Sequence, residues 1–201
     1  NLLEAWPAGA DLGVNPFSGP ALIAFALAMV NWLWAIRRFP ETLSEENRGK
    51  STEGRTLHPF RMLRSIRFPG VMRTNLISFL YLSAFSGMEF TLTFLAAERH
   101  DFGPKDNMWM FVFIGLVIAF VQGGIVRRVV PRVGERKVAA VGLAALVPGF
   151  LLVGYSGSVG VLYLGLGFMA VGSALAMPCF SALVSRYSPS EVQGLVLGAF
   201  R

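Results

Sequence analysis

Glu89 sits inside an apolar run. Between residues 71 and 97 the chain reads VMRTNLISFLYLSAFSGMEFTLTFLAA. As an α-helix this run would rise about 40 Å, enough to cross a bilayer. A carboxylate at the centre of such a helix costs about 2.5–3.5 kcal/mol on insertion scales, so Glu89 needs a protein or water partner. Steps of three and four residues from Glu89 reach Thr93 on one side, then Ser86, Leu82, Ser78 and Asn75 on the other. One face is therefore a polar stripe broken by Leu82, while Ile77, Phe79, Leu80, Phe90 and Leu92 fall largely elsewhere. The pattern predicts a helix packed inside a bundle and lining an interior surface.

Other chemistry finds little support. The single cysteine, Cys179, excludes an internal disulfide framework and a Cys-based zinc site, and its apolar surroundings argue against a reactive thiol. His58 and His100 fall in loops on opposite sides of a membrane, so they cannot share a metal or a triad. Gly123-Gly124 reads as close helix packing, because no phosphate-binding pattern surrounds it. No catalytic residue, metal or cofactor is expected.

The chain that positions Glu89 has 201 residues, 54% hydrophobic and 15% charged, with mean hydropathy +0.55. Soluble domains average about 45–50% apolar and about 25% charged residues, so this is membrane composition. Hydropathy predicts an extracytoplasmic loop at 1–16 and a first span at 17–36, with Trp32 and Trp34 near its end and Asn31 as a polar point. A long cytoplasmic loop follows at 37–70. Its arginines at 61, 64 and 67 suit either an interfacial helix over 59–68 or a solvated linker. Further spans are expected at 71–97, 108–126, 138–155 and 159–184, the last with a break at Pro178, and a truncated one at 194–201. With no start methionine, no signal peptide and a final run cut short, the chain is expected to be an internal piece of a longer membrane protein.

The net charge of +6 does not point to nucleic acid, because no aromatic-interleaved basic face accompanies it. Apart from Arg99, Lys105 and Arg201, every Lys and Arg lies in segments 37–73 and 127–137 or at 186. Alternation of the spans puts these three segments on one side, which the positive-inside rule makes cytoplasmic. Arg201 is then a second intramembrane charge, about 10 Å from that face. A guanidinium there suits an anionic solute through charge-assisted hydrogen bonds. Snorkelling to the interface and pairing with an acid remain open alternatives.

The motif RFPETL at the end of a span, followed by a long basic loop, resembles the close of helix six in the major facilitator superfamily. The segment at 127–137 resembles that superfamily's second loop signature. Arg132, Gly134, Arg136 and Lys137 match in kind, while Arg127 replaces its glycine and Pro131 its aspartate, leaving no acid for a charge-relay gate of the usual type. The stretches FSGMEFTLTFLAAERHDF (85–102), MFVFIGLVIAFVQGG (110–124), LVPGFLLVGY (146–155) and MPCFSALVSRYSPSEVQGLVLGAFR (177–201) are similar to the tetracycline-resistance-like branch, and within it to an animal group of organic anion transporters. The resemblance implies an all-α polytopic transmembrane bundle, a partial major-facilitator fold of helices six to ten plus the start of eleven. The N-terminal half of the same protein would be its partner.

It also implies alternating access, with a small organic solute bound near the midplane between two halves. Glu89 would then be a protonatable coupling site or the partner of a basic residue shaping the pocket; an inter-helix hydrogen bond is the structural alternative. Asn75, Ser78, Ser86, Thr93 and Arg201 complete the candidate solute or coupling-ion residues. The expected protein is a multi-pass transporter of the plasma membrane or an endomembrane, of drug or organic anion type. A membrane-embedded enzyme would need a nucleophile–base or metal constellation at one depth, and none is present in the sequence. A non-transporting scaffold of the same fold is the remaining rival.

Overall fold

A computed structural model of the chain describes residues 18–39, 68–189 and 193–200. Among these, five helices are long and apolar enough to cross a membrane. Helix α1 (Ser18–Arg38) belongs to a unit ending at Arg55 and is described by itself. Its last turn carries Arg37 and Arg38, cations where the helix dipole favours them. The second unit holds α2 (Pro69–His100), α3 (Pro104–Phe120), a π-helical turn (Val121–Val126), α4 (Arg127–Val133), α5 (Glu135–Gly154), α6 (Val159–Tyr187) and α7 (Gln193–Phe200). His58, Arg201 and all but Phe68 of the segment 59–68 lie outside the described residues.

Local chemistry sets the helix ends. Pro69 and Pro104 occupy first-turn positions, where a missing N–H costs nothing. The Gly103 N–H donates to Asp106 Oδ2 at 2.9 Å, closing the start of α3. Asp101 ends α2 in the left-handed region at φ 53°, which a short polar side chain tolerates.

The third span runs unbroken from Pro104 to Val133. The basic segment expected as a turn at 127–137 is therefore helical to Val133 and turns only at Gly134, whose φ of 89° favours glycine. The π turn explains how arginines can follow so closely on a packed helix. Val121 is buried, and the next apolar side chain packed on the core is Val126, five residues on. Ordinary α spacing would bring Ile125 and then Arg128 beneath Val121, whereas both are exposed here. Gly123 and Gly124 do not provide the close packing expected of them, since a Cβ on either would meet nothing within 4 Å.

Close packing belongs instead to α5 and α6. A Cβ on Gly142 would stand 2.7 Å from the Gly172 carbonyl oxygen, and one on Gly172 would stand 2.7 Å from the Gly142 carbonyl oxygen. Two turns along, Gly149 and Gly165 repeat the arrangement against Met169 and Val153. Backbones this close gain dispersion contacts, which substitute for a hydrophobic drive that lipid does not supply. Pro148 and Pro178 both lie inside uninterrupted helices, so the break expected at Pro178 is absent. The core centres on α6, whose buried face runs from Leu162 to Val184.

Polar ties hold the two ends. At the Ser156 end, Arg99 Nη1 donates to the Gly154 carbonyl at 2.6 Å. The Ser156 hydroxyl donates to the Val153 carbonyl at 2.9 Å, so His100 Nε2, 3.2 Å away, must donate to Ser156 Oγ. At the Gly134 end, Arg186 pairs with Glu135 at 2.6 Å, and Gln193 Nε2 donates to Ser185 Oγ. Gly70 leaves room for the Tyr187 ring, 2.7 Å from where a Cβ would stand.

Thermal unfolding in detergent checks the interlock. Gly142→Ala should cost about 1–3 kcal/mol through overpacking against backbone. Gly123→Ala, with open space around it, should leave the midpoint unchanged or slightly raised.

Candidate functional site

Three helices of the second unit border an open cleft of about 460 Å³, within the ~300–1,000 Å³ range of small-molecule sites. Helix α2 contributes Tyr81, Phe85 and Glu89 at four-residue intervals, with Leu82 and Ser86 beside them. Ile118 and Gln122 come from α3 and the start of the π turn, one helical turn apart. Ser173, Ala174 and Met177 come from α6. Tyr81 is buried, its ring 5.7 Å from Phe85 and 5.9 Å from Phe180, so an aromatic stack backs the wall.

The polar stripe of α2 divides among different surroundings. Glu89 and Ser86 are exposed and line the cleft. Ser78 is only 3% exposed, and Asn75 is half-buried; among the described residues neither Ser78 Oγ nor Asn75 Oδ1 has a hydrogen-bond partner. Thr93 is half-buried and does not line the cleft. Arg132, Arg136 and Lys137 are exposed around Gly134, away from it. The structure thus brings two of the stripe's candidates together and leaves the others apart.

Tyr81, Gln122 and Ser173 also line the cleft, although sequence reasoning passed over them. Tyr81 and Phe85 lie eight and four residues before Glu89, a spacing that was legible once aromatic as well as polar side chains were counted. Gln122 is a lone amide just beyond an apolar run, which was a usable signal. Ser173 carried none, because a serine among Gly172, Ala174 and Ala176 reads as packing.

Glu89 is the one charged group among the described lining residues; the rest of the polar lining is neutral hydroxyl and amide. This surface can hydrogen-bond a polar group, lay an aromatic body on Phe85 and Met177, and exchange a proton at a carboxylate. Among the described residues no group of three or more His, Cys, Asp or Glu could hold a metal ion. Cys179 is a buried free thiol, 1% exposed.

A model of the Major Facilitator Superfamily matches residues 13–201. The chain belongs to the Major Facilitator Superfamily. It is a multi-pass integral membrane protein with a partial major-facilitator fold, from a family of transporters rather than enzymes. It is 36% identical to mouse major facilitator superfamily domain-containing protein 10 over 91% of this chain and 46% of that protein, and 34% identical to the human protein over 96% and 46%. A solved structure, the crystal structure of the human organic anion transporter MFSD10 (TETRAN), is similar at a TM-score of 0.63 and 39% identity, over 67% of this chain and 32% of that one. The chain spans about half the length of the curated relatives it matches.

Cysteine labelling checks the division of the stripe. In a Cys179→Ala background of this superfamily member, Ser86→Cys should react with a water-borne methanethiosulfonate at least about tenfold faster than Ser78→Cys. Equal rates would contradict the arrangement.

Proposed function

We propose that this major-facilitator chain forms the C-terminal part of a secondary transporter of small organic solutes, drug-like or anionic, working by alternating access. The observation that carries the reading is Glu89, a carboxylate on the wall of a solute-sized cleft within apolar spans. Membrane-embedded acids are expensive and persist where they serve a pathway or a proton relay. The second wall of the cavity is contributed by an N-terminal half, as the coverage of the relatives supports. The Gly134 end faces the cytoplasm, which sets Glu89 past the midplane toward the outer side and puts the loops around residues 99–105 outside.

Glu89 is the proton-coupling site in this reading. Its exposed position on the cleft wall supports this role, because rocking of the two halves in alternating access would change what surrounds the carboxylate. Arg201, outside the described residues, supplies the fixed positive charge that an anionic solute requires and that the described lining lacks.

Reconstituted full-length protein tests both roles. In proteoliposomes with an imposed pH gradient, Glu89→Gln should abolish gradient-driven accumulation and leave solute exchange intact. Retained gradient dependence would remove it as the proton site. Arg201→Gln should weaken uptake of anionic solutes by about tenfold or more at normal surface expression, the range of a lost charge-assisted hydrogen bond. Unchanged anion uptake would sink that assignment.

A further inference from the structure

Ser173 places a hydroxyl on the cleft wall that bonds no carbonyl of its own helix. The residue is 6% exposed and lines the cleft, and among the described residues its Oγ closes no hydrogen bond of normal geometry. Helical hydroxyls commonly bond a carbonyl one turn back, and here Thr74 does so to Gly70 at 2.9 Å and Thr91 to Gly87 at 3.0 Å. Ser173 does not. Its neighbours Gly172, Ala174 and Ala176 are small buried residues, so an alanine at 173 would satisfy packing and change the polar surroundings of the facing Tyr81 phenol alone on this wall.

The hydroxyl is also not isolated from other polar groups. Tyr81 faces Ser173 without closing a hydrogen bond of normal geometry, and Gln122 lines the same cleft from the π turn. Three neutral groups from three helices thus converge, each able to donate a hydrogen bond. Donors without charge suit an oxygen acceptor. The flanking Phe85 and Met177 offer an aromatic face and a pliable thioether that can move aside to admit it.

We propose that Ser173, together with Gln122, forms the specificity-determining subsite that hydrogen-bonds a carbonyl or carboxylate oxygen of an aromatic organic solute. This rests on the reading of the cleft as the solute site. An orphaned buried hydroxyl is retained because the bound solute completes its hydrogen bonding.

The test compares wild type and Ser173→Ala as purified full-length protein, using three radiolabelled probes of matched size: naphthoate, acetylnaphthalene and ethylnaphthalene. The first carries a carboxylate, the second a ketone, the third no oxygen. Ser173→Ala should bind the oxygen-bearing probes about three- to tenfold more weakly and ethylnaphthalene equally well, while its thermal midpoint holds or rises. Weakening confined to naphthoate or to acetylnaphthalene supports the subsite and identifies the oxygen it reads. A lowered midpoint with equal weakening of all three probes makes Ser173 structural and overturns the proposal. So does unchanged binding of all three. Failure of wild type to bind any probe saturably overturns the cleft as a solute site, and the subsite with it.

Discussion

Lipid offers no hydrogen-bond partner, and that constraint shapes most of what the chain does. Each backbone amide in the spans must be bonded within its own helix, so the described residues are helical and their interruptions are brief. Chain direction changes where a polar device is available. Gly134 turns with a positive φ, Asp101 closes α2 in the left-handed region, and Asp106 takes the amide of Gly103. Pro69 and Pro104 fall at helix starts, where no bond is lost, Pro131 lies inside α4 just before the Gly134 turn, and Pro148 and Pro178 lie inside α5 and α6, where packed neighbours hold the helix continuous.

The same constraint separates rigid parts from adaptable ones. The glycines of α5 and α6 bring two backbones into contact and fix their register, and the ties of Arg99 and His100 fasten the end of α2 to that hairpin. Helix α3 is built differently. Its π turn carries two glycines that meet nothing, and it shifts the packed face by one residue so that Arg127 and Arg128 stay outside. Gln122 stands at the start of that turn, so the wall of the cleft that carries it adjoins two glycines with open space around them.

The spans were legible because hydropathy and flanking charge are strong, additive signals over twenty residues. Glu89 and Ser86 were legible for the opposite reason, as costly polar exceptions on one helical face. The π turn was not, because it appears only when the burial of Val121 and Val126 is compared, and no local residue type announces it. Gly123-Gly124 misled for that reason: a glycine pair signals close approach and loose geometry alike. Pro178 misled because proline's lost bond was weighed without the packing of α6 that offsets it. Ser78, Asn75 and Thr93 shared a face with Glu89, yet one face of a long helix meets different neighbours at different depths.

The cleft joins one carboxylate to neutral donors and an aromatic wall, the groups that the proposed proton-linked transport of an amphipathic solute would use. Its position, shared by α2, α3 and α6, would let the proposed proton site and solute site respond to the same helix movements. The most direct measurement is a structure of the full-length protein with a transported organic solute bound. The account predicts solute density between α2, α3 and α6, against Phe85 and Gln122 and within reach of Glu89. Density elsewhere, with this cleft filled by lipid or closed by side chains, would contradict it.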